Sequence, residues 1–190
     1  MVDLFTFKVL IVGAFGVGKT TFIQQISSVP VVGTEVSTTG DEAQVKDTTT
    51  VGIEYGVFSV RDDEVDVILL LFGTPGQDRF SDIREIAARG IDGLIVLVDG
   101  RDRSSWHVGA ELYTTFNPDR VIPAIVVVNR WSDGGDSPDG LIDAMGVRGD
   151  VGIVHGHVID VADARRFLIE LLSVVLEREV GDDDRAMEVV

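Results

Sequence analysis

The chain has 190 residues, which leaves room for one domain and excludes a second catalytic domain. With 45% apolar and 7% aromatic residues, it has the composition of a globular core rather than of a disordered chain. The 32 acidic residues against 16 basic ones give a formal net charge of −16, which repels phosphate backbones, so we expect no nucleic acid partner. The sequence lacks cysteine, a signal peptide and a long apolar run, and we therefore expect a cytoplasmic protein with no direct membrane anchor.

In chain order, short apolar runs predict strands over 7–12, 50–60, 65–72, 93–98, 121–128 and 153–159. Helical spacing of apolar residues predicts helices over 19–26, 81–89, 103–116, 141–145 and 162–180. This alternation predicts an α/β fold with a mostly parallel sheet of about six strands, helices on both faces and one antiparallel strand from the hairpin at 61–63. We expect one domain over residues 1–180 and an acidic, disordered tail over 181–190.

The segment Gly13-Ala14-Phe15-Gly16-Val17-Gly18-Lys19-Thr20 matches the pattern GxxxxGK[ST]. It follows a predicted strand and opens a predicted helix, the setting in which such a loop cradles phosphates. The glycines let backbone N–H groups converge on phosphates, Lys19 reaches the terminal phosphates, and the Thr20 hydroxyl meets magnesium. We assign nucleotide binding here to Gly13, Phe15, Gly16, Val17, Gly18, Lys19, Thr20 and Thr21. The alternative is a glycine-rich turn that happens to precede Lys-Thr.

Two later segments complete a resemblance. A long polar loop over 27–47 leads into Thr48-Thr49-Thr50-Val51-Gly52. The hairpin is followed by Gly73-Thr74-Pro75-Gly76-Gln77-Asp78. Together with the phosphate loop, they resemble a Ras-like small GTPase, more narrowly the prokaryotic MglA and conservon type, over about residues 6–175. The resemblance implies a Ras-like P-loop fold, binding of GTP and GDP with magnesium, and slow GTP hydrolysis by a molecular switch. It also implies a Roadblock-domain regulator protein and an effector that the residues do not identify.

The resemblance gives roles to individual residues in the two switch loops. Thr50 would ligate magnesium through its hydroxyl beside Thr20, although Thr48 and Thr49 are rivals and the three threonines also suit the start of a strand. The Gly76 N–H would face the γ-phosphate, and Gln77 would orient the attacking water, with Lys19 as the second catalytic group. Gln77 could instead be an ordinary polar loop residue.

The sequence departs from the family pattern at three places. Gly73 stands where an aspartate usually supports magnesium, and Asp99 either takes over part of that role or supports the next loop. Asn129-Arg130-Trp131-Ser132-Asp133 replaces Asn-Lys-x-Asp, with Asn129 in place, Arg130 along the purine face and Asp133 one residue late. The usual Ser-Ala-Lys loop has no good match, so a backbone N–H of Val161 or Ala162 would meet the base oxygen.

Three other functions remain open. A nucleotide-loaded binding scaffold with negligible hydrolysis is favoured by Gly73, and a P-loop NTPase with relaxed base preference is favoured by the altered base motif. A small-molecule kinase would need an arginine-rich lid, which Arg84 and Arg89 do not make. His155 and His157 fall on one face of a predicted strand, but with no third ligand nearby an ordinary strand is the better interpretation.

Overall fold

The computed structural model describes residues 3–33, 53–61, 65–74, 89–131, 138–147 and 151–187. Its strands are β1 Asp3–Val12, β2 Val32–Gly33, β3 Glu54–Arg61, β4 Val65–Gly73, β5 Gly93–Asp99, β6 Ala124–Asn129 and β7 Gly152–Gly156. The helices within these ranges are α1 Lys19–Ile26, α2 Arg103–Phe116, α3 Pro138–Met145 and α4 Val161–Met187.

The strands form a single seven-stranded sheet in the order β2-β3-β4-β1-β5-β6-β7. Strand β3 runs antiparallel to both of its neighbours, whereas β4, β1, β5, β6 and β7 pair in parallel. The predicted α/β fold with one antiparallel strand is thereby confirmed. The one strand beyond the predicted six is β2, which lies in the segment that the sequence assigns to a loop. It has only two residues, too few to show a periodicity in the sequence.

Because side chains alternate between the two faces of each strand, both faces need cover, and among the described residues two helices pack on each face. On one face, Phe22 of α1 and Phe167 of α4 are fully buried, with ring centroids 6.2 Å apart. On the other face, Trp106 of α2 and Leu141 of α3 are buried against β5 and β6. This two-sided cover explains why the central strands read as continuous apolar runs.

The ends of several elements differ from the prediction. Strand β1 begins at Asp3, before the predicted start at Phe7, because its exposed first residues also pair with β4, from Val65 onward. Strand β6 begins at Ala124, directly after Pro123, which has no N–H to donate to the sheet. Helix α4 continues to Met187 and so includes seven residues of the predicted tail. In the described ranges, no helix is both long and apolar enough to cross a bilayer.

The carboxyl ends of the parallel strands meet at one edge of the sheet. The register pairs Ile11 of β1 with Gly73 of β4, and Asp99 of β5 with Asn129 of β6. In open α/β sheets the ligand site lies beyond this edge. The fold therefore brings the phosphate loop, Gly73, Asp99 and Asn129 to one place, although they are far apart in sequence.

Candidate functional site

The phosphate loop joins β1 to α1, and its glycines are required by its shape. Gly13, Gly16 and Gly18 all have positive φ angles, of 153°, 77° and 110°. A Cβ at Gly13 would overlap the Leu97 carbonyl oxygen, and one at Gly18 would lie 2.8 Å from the Asn129 Nδ2. The loop can pass this close to the strand ends only with glycine there. It delivers the chain to the N-terminus of α1, which has no side-chain cap and suits an anion.

Lys19, the first residue of α1, folds back beneath the loop. Its Nζ donates to the carbonyl oxygens of Gly13 at 2.9 Å and Ala14 at 2.8 Å, and the residue is 8% exposed. These bonds hold an ammonium group at the concave side of the loop. A largely buried cation beside a helix N-terminus is a local positive charge in an otherwise acidic protein, which suits an anion such as phosphate.

Asn129, at the end of β6, links the phosphate loop to the loop after β7. The residue is 2% exposed, its Nδ2 donates to the Val17 carbonyl oxygen at 2.8 Å, and its Oδ1 accepts from the Val158 N–H at 3.1 Å. Both polar atoms of the amide are thus engaged. The side chain predicted to help select the base acts here as a brace that fixes two loops relative to each other.

Arg130 and Asp99 form a second brace beside the first. The Arg130 guanidinium donates to the Asp99 carboxylate at 2.6 Å and to the Gly16 carbonyl oxygen at 3.2 Å and 3.3 Å. Arg130 reaches this position from a left-handed backbone with φ 58°. Burial raises the pKa of Asp99, but hydrogen bonds from Arg101 and Arg130 outweigh it and bring the pKa below its usual value. Asp99 therefore remains an acceptor for both arginines at neutral pH.

The loop between β7 and α4 lies beside Asn129. Val158 makes the contact with Asn129, whereas Val161 and Ala162 begin α4. The Ala162 N–H donates to the Asp160 carboxylate at 2.7 Å, as expected for a helix cap. Of the two predicted base contacts, Ala162 thus already has an acceptor for its N–H.

Thr20 has an acidic partner that the sequence analysis did not single out. Its hydroxyl donates to the Glu54 carboxylate, and Glu54 is 8% exposed at the start of β3. Hydroxyl and carboxylate oxygens are the ligands that magnesium prefers, so these residues fit the ion that the resemblance implies. The sequence signal that could have identified Glu54 is an acidic residue on the inward face of an alternating strand. The hairpin register then places Glu54 opposite Gly73.

The remaining predicted residues fall into two groups. Phe15 is 74% exposed at the tip of the phosphate loop, and Thr21 is half-buried on α1. Thr50, Gly76, Gln77 and Asp133 lie outside the described residues, as does most of the predicted helix over 81–89. The structure thus brings together the phosphate loop, Lys19, Thr20, Asn129, Arg130 and Asp99, and adds Glu54.

Comparison with known proteins agrees with this geometry. The sequence profile described as "Ras of Complex, Roc, domain of DAPkinase" matches residues 8–132, more than half of the chain, from within β1 into the Asn129 motif. The chain belongs to the Roc family of Ras-like GTPase domains. The Roc match covers every element that contributes to the site except the loop after β7.

Individual relatives of this Roc-family chain are distant. An uncharacterised protein, MJ1339, of Methanocaldococcus jannaschii is 33% identical over 48% of this chain and 50% of its own length. The Ras-related protein Rab-18 of Caenorhabditis briggsae is 30% identical over 65% of this chain and 57% of its own. The GTP-binding protein YPT1 of Saccharomyces cerevisiae is 29% identical over 54% and 44%. The chain thus spans about half the length of these relatives.

This membership places the chain among Ras- and Roc-type GTPase domains. The described geometry agrees with that class, because it brings Lys19 and the N-terminus of α1 to the same loop, an arrangement suited to binding phosphate.

Proposed function

We propose that this Roc-family chain is a regulatory switch that binds GTP and GDP with magnesium and hydrolyses GTP slowly. The observation that carries the proposal is the phosphate loop at the edge of the sheet, with Lys19 bonded beneath it and Asn129 bonded to its Val17 carbonyl oxygen. A glycine-rich turn without a function would need neither a buried lysine nor a buried asparagine. The cost of burying both is understandable if the loop must present its N–H groups in a fixed arrangement.

In this proposal, each described residue has a separate task. The loop N–H groups and Lys19 bind the phosphates, and Thr20 offers its hydroxyl oxygen to magnesium, which neutralises phosphate charge when bound. Asn129 and Arg130 hold the loop through the consecutive carbonyl oxygens of Val17 and Gly16. Fixed donors of this kind stabilise developing charge without having to reorganise during the reaction.

The finer assignments rest on the resemblance. Thr50 would complete the magnesium ligands, Gly76 would meet the γ-phosphate, and Gln77 would orient the attacking water. Asp133 and the Val161 N–H would contact a guanine base, with the stem of Arg130 along its face. The MglA and conservon subtype, a Roadblock-domain regulator and an effector belong to the same proposal.

The alternative is a nucleotide-loaded scaffold that hydrolyses negligibly, which Gly73 favours because it removes a carboxylate beside magnesium. Single-turnover hydrolysis of bound GTP separates the two functions. We expect turnover on a scale of minutes or slower from the isolated chain, because a partner can contribute about 10³ to 10⁵ in rate to Ras-like enzymes. No hydrolysis over several days, with GTP still bound, would favour the scaffold.

Gln77→Leu tests the assigned water-positioning residue. We expect hydrolysis to fall by at least about 10-fold while GDP affinity stays unchanged, because the glutamine acts only on the attacking water. Gln24→Leu, on the exposed side of α1, is the matched control and should hydrolyse GTP like the unaltered chain. Equal hydrolysis by both variants would remove Gln77 from the mechanism.

A further inference from the structure

We infer that Glu54 supplies, from the neighbouring strand, the carboxylate that supports magnesium and that Gly73 cannot provide. The inference deepens the proposed function and rests on it. It concerns a residue on β3, a strand to which the sequence analysis gave no chemical role. It replaces the hypothesis that Asp99 takes over this task.

The positions of Glu54 and Gly73 make the exchange possible. The two residues are paired across the antiparallel β3–β4 ladder. A Cβ placed on Gly73 would lie 3.1 Å from the Glu54 Oε2 and 3.4 Å from its Cβ. The Glu54 side chain therefore fills the space beside residue 73, into which a side chain at that position would extend.

The contact with Thr20 gives this carboxylate a chemical role. Thr20 is the residue whose hydroxyl the phosphate-loop motif assigns to magnesium. That hydroxyl donates a hydrogen bond to the Glu54 carboxylate. A hydroxyl that donates in this way keeps its lone pairs for a cation. Removing a group that hydrogen-bonds to a metal ligand and orients it commonly lowers metal affinity 10- to 100-fold.

The burial of Glu54 points the same way. The residue is more than nine-tenths buried, a state in which a glutamate needs compensating partners. A divalent cation beside Thr20 would compensate that charge, and in proteins this ion usually keeps several waters that donate to nearby carboxylates. Asp99, in contrast, is already paired with Arg101 and Arg130. Glu54 is therefore the better candidate of the two carboxylates.

The test measures release of a fluorescent GDP analogue from the full chain while magnesium chloride is titrated, a readout that needs no hydrolysis. We expect magnesium to slow release from the unaltered chain. Glu54→Gln should raise the magnesium concentration at half effect 10- to 100-fold while leaving release in EDTA within about twofold. Asp99→Asn should instead change release equally with and without magnesium, and Glu111→Gln, exposed on α2, should change neither.

A double variant that moves the carboxylate to the neighbouring strand separates loss of the carboxylate from damage to the fold. In the double variant Glu54→Gly with Gly73→Asp, the carboxylate moves to β4. Of the three described atoms nearest to a Cβ at residue 73, this variant leaves only the Ile23 Cδ1, the end of a side chain, at 2.7 Å. This variant should recover most of the magnesium effect. A Glu54→Gln variant with an unchanged magnesium midpoint would overturn the inference. Failure of the unaltered chain to bind the GDP analogue would instead overturn the proposed function.

Discussion

Arg130 and Asp99 join the ends of two neighbouring strands to the phosphate loop. Their ion pair measures 2.6 Å, and the same guanidinium donates to the Gly16 carbonyl oxygen. In the sequence, Arg130 stands in place of the usual lysine of the base motif. A guanidinium has several donors in one plane, so one side chain can hold a carboxylate and a carbonyl together.

Asp99→Asn is expected to weaken this brace. The variant keeps the shape but loses the charge that attracts Arg130 and Arg101. At neutral pH, we expect the free energy of unfolding to fall by about 1 kcal/mol, because the pair is only partly shielded from solvent. Urea unfolding of both proteins measures the difference, and a change of under about 0.3 kcal/mol would show that the pair is unimportant for stability.

The same comparison has a pH dependence of known sign. The pKa of Asp99 is lower in the folded chain than its ordinary value of 3.8. Its contribution to stability is therefore fully present above about pH 4 and is lost as the pH falls through the lower folded value. The difference between Asp99→Asn and the unaltered chain should shrink in that acidic range. A difference that grows on acidification would contradict the assigned pairing.

Asn129→Ala should lower both stability and nucleotide affinity. It leaves the Val17 carbonyl oxygen and the Val158 N–H without their buried partner, which costs about 2 to 3 kcal/mol. Because Val17 belongs to the phosphate loop, we also expect at least about 10-fold weaker GDP binding by the folded protein. Urea unfolding and GDP titration measure the two effects separately.

Asn117 offers a matched control for that experiment. It is equally buried, and its amide makes the same two kinds of bond, both to Ile122, at the end of α2 away from the phosphate loop. Asn117→Ala should therefore destabilise the chain without changing the GDP affinity of the folded fraction. If both variants lost affinity equally, the effect of Asn129 would be one of general stability.

Two glycines of the phosphate loop should respond differently to alanine. Gly13→Ala places a methyl group against the Leu97 carbonyl, a backbone atom that cannot move aside, and should cost at least about 3 kcal/mol. At Gly16 no atom of the described segments lies within 4 Å of an added Cβ, so we attribute the cost of Gly16→Ala to its positive φ, at about 1 kcal/mol. Thermal unfolding ranks the two, and the reverse order would contradict this loop conformation.

Lys19→Ala should abolish tight binding of GDP and GTP. It removes the cation that is bonded to the carbonyl oxygens of Gly13 and Ala14 beneath the loop. We expect affinity to fall by at least about 100-fold at fixed salt and magnesium. Lys8→Ala, whose Nζ contacts the Arg89 carbonyl on the exposed part of β1, is the control and should bind normally. Unchanged affinity in Lys19→Ala would remove the phosphate-loop assignment.

The sequence was most informative where one short-range rule decides the structure. Helices α1 and α2 have the predicted bounds, because apolar spacing and the stop at Asn117-Pro118 are local signals. The phosphate loop is equally local, since its glycines and Lys19 are adjacent in the chain. Strand ends were harder to predict, because exposed pairing residues such as Asp3 carry no apolar pattern.

The parts of the site that join distant segments were not predictable in the same way. The contacts of Asn129 with Val17 and Val158 depend on how three strand ends are aligned. Arg130 was predicted to lie along a base, whereas its guanidinium is also needed to hold Asp99 and Gly16. The position of Glu54 depends on the β3–β4 register, because a shift of one residue would turn its side chain to the other face of the sheet.

Competition between GDP and ADP for the site, at fixed salt and magnesium, tests the central claim most directly. The altered base motif is the feature of the sequence that argues most against a guanine assignment, whereas family membership favours it. A site that hydrogen-bonds one base edge rejects the other base strongly, so we expect GDP to displace a bound fluorescent GDP analogue at least about 100-fold better than ADP. Equal displacement by the two nucleotides would contradict a guanine-nucleotide switch.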